Sequence, residues 1–88
     1  MSHDKIYYHT YDIGIQLGMN SYYSAQLYYP EQLASMETEE DALELMTEIW
    51  LYDSMVIKVK YPQLEESILR KGWCDGFLDA LFPLRHLA

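Results

Sequence analysis

Between Glu37 and Lys60 the residues Ala42, Leu45, Met46, Ile49, Tyr52, Val56 and Val59 recur at three- and four-residue steps, the period of a helix that buries one face. Both ends of this stretch are marked. Thr38 is placed to cap the free amides, and Asp41, three residues on, stands where a capping box carries its reciprocal acceptor, with Asp in place of the usual Glu or Gln. Acids crowd the first turns and Lys58 and Lys60 close the last, matching the helix dipole at both ends. Tyr61-Pro62 stops it. The rest of the chain has to be organised around this one long helix with an acidic outer ridge.

A second helix is expected after Pro62, which suits a first helical position. There Leu64, Ile68, Leu69, Gly72, Trp73, Gly76, Phe77, Ala80 and Leu81 form a wide apolar stripe ending at Phe82-Pro83, and Glu66 precedes Arg70 by four residues as a small stabilising pair. Residues 39–58 and 63–81 are therefore expected to be the two main helices, packed on each other. Residues 4–29 fit two periods. Tyr7, Tyr8, Tyr11, Ile15, Gly18, Met19 and Tyr22 make a helical stripe, whereas Ile13, Ile15 and Leu17 alternate with Gly14, Gln16 and Gly18 as a strand would. An internal echo favours helix: Gly14-x-x-x-Gly18 returns as Gly72-x-x-x-Gly76. Glycines four apart share a helix face and admit another backbone, at about 1 kcal/mol of helix stability each, so the two copies are expected to cross at their glycines. Asn20-Ser21 can end one helix and cap another over Tyr22–Tyr29, and Pro30 to Met36 form a helical turn or loop that leads into the acidic helix. The expected fold is all-α, a bundle of three to four helices in a single domain over residues 1–88. The alternative is α+β, with a short strand pair near Ile13–Leu17 and Met55–Tyr61.

A chain of 88 residues that is 50% apolar is long enough for one modest core and too apolar for disorder, despite a net charge of -8. The single cysteine, Cys74, makes no internal disulfide, and neither a secretory leader nor a run of about 18 apolar residues is seen. A cytoplasmic protein with no membrane partner is the expectation. The charge is unevenly spread. No Lys or Arg lies between Lys5 and Lys58, an interval holding Asp12, Glu31, Glu37, Glu39, Glu40, Asp41, Glu44, Glu48 and Asp53. Such a surface repels nucleic acid and anionic membranes and attracts basic protein surfaces.

Catalytic and ligand motifs are missing. His3, His9 and His86 have no second ligand at a metal-binding spacing, and no nucleophile elbow or phosphate-binding glycine loop occurs. Cys74 beside Asp75 has no adjacent base to lower its pKa. Neither a cofactor nor a metal is expected, and the enzyme alternative would have to use Asp or Glu with Cys74.

Two surface features remain. Glu37, Glu40, Asp41, Glu44 and Glu48 form a ridge with no intervening lysine. Its first acids serve the helix start, but Glu44 and Glu48 only repel their neighbours. Carboxylates about 6 Å apart present a line of anions to a basic groove. Seven of the nine tyrosines lie in the first 29 residues, and the doublets Tyr22-Tyr23 and Tyr28-Tyr29 cannot both face one small core, which leaves rings for a partner. Either feature can be the binding face.

In size, acidity and lack of catalytic residues the chain resembles the small stand-alone proteins that phages and mobile elements encode to disable host nucleic-acid machinery, anti-CRISPR proteins among them. The resemblance implies a stoichiometric inhibitor that occupies a basic channel of a nucleic-acid-binding effector, as a nucleic-acid mimic or a steric block, without binding nucleic acid itself. The other reading is a small adaptor or oligomerising subunit that binds through its tyrosine-rich face, a homodimer included.

Overall fold

The structure, a computed structural model, describes residues 2 to 85, with side chains from Asp4 onward. It consists of α1 (Ser2–Tyr28), α2 (Pro30–Ala34), α3 (Glu39–Lys60) and α4 (Glu66–Leu81). No strand occurs among the described residues, so the fold is all-α. The strand pair is overturned: residues 13–17 lie within α1, and 55–60 within α3. The alternation around Ile13 arose from glycines that imitate the polar positions of a strand, whereas they are the small positions of a helix seam. No described helix is long and apolar enough to cross a membrane.

α1 and α4 form the central pair, joined at the four glycines. A Cβ on Gly14 would lie 3.1 Å from the Cα of Gly72, and one on Gly18 would fall inside the carbonyl of Trp73. From the other side, Cβ atoms on Gly72 and Gly76 would overlap the carbonyls of Tyr11 and Ile15. The two backbones therefore touch directly, as the repeated spacing predicts. This corrects the expected pairing, in which α3 and α4 were the principal partners. α3 has no small-residue seam and rests on side chains instead. Trp50 meets Trp73 edge-on at 5.4 Å, Trp73 stacks on Phe77 at 5.4 Å, and Tyr22 of α1 closes the row edge-on to Phe77 at 5.5 Å.

The start of α3 is as its sequence dictates. Thr38 is the N-cap, its Oγ1 accepting from the Asp41 amide at 3.3 Å, while Asp41 Oδ2 accepts from the Thr38 and Glu37 amides at 3.0 and 2.9 Å. Other boundaries differ. α1 runs unbroken through Asn20-Ser21 because Ser21 turns its hydroxyl sideways to Asp53 instead of capping a new helix. Along α1 the buried positions are Thr10, Gly14, Gly18 and Ala25, leaving Tyr8, expected in the stripe, exposed. Pro62 falls in a turn, with the Leu64 amide bonded to the Tyr61 carbonyl at 3.2 Å, and α4 starts only at Glu66. Glu66 pairs with Lys58 at 3.3 Å, not with Arg70, whose guanidinium lies 5.9 Å from the Trp50 ring centre. Arg85, just past α4, ties that end to the start of α3 through Glu39 at 2.7 Å and Asp79 at 3.2 Å. The molecule is flat, 42 by 31 by 17 Å, so much of α3 has nothing packed over it.

Candidate interaction surface

α3 carries two different outward surfaces in succession. At about 100° per residue, Glu40, Glu44 and Glu48 point the same way as Leu51 and Met55 one to four turns later. All five are exposed. The first half of this face is acidic and the second is apolar.

The apolar half is a correction to the expected stripe. The three- and four-residue periodicity places Tyr52, Val56 and Val59 in the core, yet Leu51, Tyr52, Met55, Val56 and Val59 are 61 to 82% exposed, and the buried positions there are Trp50, Ser54 and Ile57. Past Ile49 the buried face turns by roughly 80° around the helix, counting 3.6 residues per turn. Trp50 and Asp53 explain the turn. Trp50 docks on Trp73, and Asp53 accepts the Trp73 indole N–H at 3.0 Å together with the Ser21 hydroxyl, whose oxygen also receives that N–H at 3.2 Å. A fully buried indole has to find an acceptor, so α3 is held with Asp53 inward and its apolar C-terminal residues outward.

The ridge residues have unequal roles. Asp41 is committed to the cap, where the Glu37 and Thr38 amides hold its carboxyl below the ordinary value of 3.8. Glu37 supplies one of those amides and its side chain is exposed. Glu39 is engaged by Arg85. Glu40, Glu44 and Glu48 form no ion pair among the described residues.

The tyrosines separate into two groups. Tyr22 is half-buried against Phe77 and its hydroxyl accepts from Gln26 at 3.1 Å, with Tyr23 exposed beside it. Tyr28 and Tyr29 instead reach α3. They line a groove of about 480 Å³ between α1 and α3, together with Tyr52 and Val56, and Asp53 and Ser21 lie at its lining too. Tyr29 also borders a shallow depression of about 740 Å³ with Glu48, Leu51, Tyr52 and Met55. The last acid of the ridge and the second tyrosine doublet thus belong to one surface, while Tyr22 and Tyr23 lie apart from it. Leu51 and Met55 were not anticipated in this surface. Their four-residue spacing, outside the Ala42–Val59 stripe, was the available signal.

Little here favours covalent chemistry. The Arg70 guanidinium lies close enough to Cys74 to favour the thiolate, contrary to the expectation of no basic neighbour, but burial outweighs it and the thiol pKa is raised. No group of three or more His, Cys, Asp or Glu among the described residues is placed to hold a metal ion. His9 is exposed, and the side chains of His3 and His86 lie outside the described residues. Comparison with family models, with curated proteins and with solved structures finds no match.

Proposed function

We propose that this protein is a non-enzymatic interaction module whose α3 face docks on a basic protein surface and blocks it stoichiometrically. The observation that carries this reading is the row Glu40, Glu44, Glu48: exposed, without an ion pair among the described residues and pointing one way on a capped helix. Such a row is costly to a helix, because like charges four residues apart repel, and no cation within the described part of the chain relieves it. A basic partner would. The apolar surface that follows on the same helix supplies the desolvated contact that charge alone does not. Combined with the resemblance in size and acidity to inhibitors of nucleic-acid machinery, the favoured partner is a nucleic-acid-handling protein whose cationic channel accepts the acidic row in place of phosphates.

The test is capture from a lysate of the source organism with the wild-type chain and with the double variant Glu40→Lys, Glu44→Lys, with and without added heparin as a polyanion competitor. A partner retained by the wild type, lost with the variant and displaced by heparin supports the reading. Identical captures by both chains contradict it.

A further inference from the structure

We propose that the apolar half of the α3 face is the seam of a twofold antiparallel dimer formed with a second copy of this chain. Glu44, Glu48, Leu51, Met55 and Lys58 follow one another at steps of four, three, four and three residues, and all are exposed. At about 100° per residue they stay within an arc of roughly 80°, which is the spacing of a coiled-coil seam. Tyr52 and Val59 flank this line on one side. The patch is larger than the isolated apolar residues that a free surface tolerates, and the depression bounded by Tyr29, Glu48, Leu51 and Met55 is open for a partner's side chain.

Charge selects the occupant and its direction. The seam is negative at its start and positive at its end, so a second copy fits only when it runs the opposite way. With the dyad level with Asp53, Leu51 faces Met55 of the second copy and Glu48 faces its Lys58, and both contacts occur twice by symmetry. A parallel copy would place Glu48 on Glu48 and Glu44 on Glu44, and is excluded by repulsion. Lys58 is available for this contact, since its pair with Glu66 leaves the side chain 61% exposed. Glu40 and Glu44 lie beyond the paired Glu48–Lys58 segment, one acidic end on each side, and because the dimer covers Glu48 and the apolar surface that the basic partner proposed above also contacts, the two associations compete for this face.

The register has a consequence that a generic hydrophobic contact lacks. Glu48→Lys alone puts lysine against lysine at both ends of the dimer, and Lys58→Glu alone puts glutamate against glutamate. An equimolar mixture of the two single variants restores opposite charges at both ends of the heterodimer. Sedimentation equilibrium at chain concentrations up to about 100 μM, the range of weak micromolar association, tests this directly. The expected result is a wild-type dimer, at least tenfold weaker self-association of each single variant, and recovery in the mixture. Leu51→Asp should abolish association, and circular dichroism should show all three exposed-site variants as helical as the wild type. A wild-type chain that stays monomeric throughout, or a mixture no more associated than its components, overturns the proposal.

Discussion

Asp53 is the residue at which three helices are held together, because its carboxylate on α3 takes the indole N–H of Trp73 on α4 and the hydroxyl of Ser21 on α1. Trp73 has no exposed surface, so losing the carboxylate leaves the indole with one longer bond to Ser21. A hydrogen bond to a charged acceptor is worth about 1.5–3 kcal/mol. Asp53→Ala should therefore lose about 2 kcal/mol, roughly 8–16 °C in Tm for a chain of this size, and Ser21→Ala clearly less; equal and negligible shifts in thermal denaturation would show that the network holds nothing. Titration of two other groups gives opposite signs. Asp41 binds its proton more weakly when folded, so its contribution is present above pH 3.8 and is lost as the pH falls through the lower folded value. Tyr11 is pushed up from 10.0 to about 12, chiefly by the hydrogen bond it donates to Asp75 and then by burial. Its contribution is complete below pH 10 and is lost as the pH rises towards 12. Urea unfolding across pH should show the Asp41→Ala difference from wild type shrinking only on the acid side, and the Tyr11→Phe difference only on the alkaline side.

At the scale of elements the fold depends on the α1–α4 glycine seam more than on any helix alone. Alanine at Gly18 or Gly76 would gain about 1 kcal/mol in helix propensity, but its Cβ would overlap the carbonyl of Trp73 or Ile15. Backbone cannot swing aside as a side chain does, and overpacking costs about 3 kcal/mol or more when nothing can yield. Gly18→Ala should thus lower stability by about 2 kcal/mol net, measured by denaturant midpoint, and a gain in stability would mean that the helices do not touch there. The seam was legible in the sequence because glycine four residues from glycine, twice, admits few other uses inside helices. The ends of α3 were legible for the same kind of reason: Thr38, Asp41 and Tyr61-Pro62 act locally, and local signals survive into the fold. The partner of α4 and the facing of α3 were not. Periodicity shows that a helix has an apolar side but not which neighbour covers it, and Tyr52, Val56 and Val59 are as apolar as the residues that are buried. What turns them outward is the pairing of Asp53 with Ser21 and Trp73, 32 and 20 residues away, which no short window contains. The tyrosine doublets divided between two surfaces for the same reason.

At the scale of the whole molecule, flatness and charge act together. A layer only 17 Å through its thinnest direction leaves α3 with one side covered, and a net charge of -8 gives that open side a long-range preference for cationic surfaces. Association through the acidic end should weaken as salt rises, since exposed charges more than about 8–10 Å apart are screened near physiological ionic strength; the apolar dimer seam should respond much less. Both behaviours can be followed on one chain by measuring each equilibrium across a salt series. The most direct measurement of the central claim pairs Tm with partner affinity for the double variant Glu40→Lys, Glu44→Lys. Both positions are exposed and outside the core, and the one stability cost is a lysine at Glu40 in the first turn of α3, where an acid favours the helix dipole by about 0.3–1 kcal/mol, so Tm should fall by no more than about 8 °C. Affinity for the captured partner should fall at least tenfold, mainly through slower association, whereas unchanged affinity in a normally folded variant would contradict the assignment of this face.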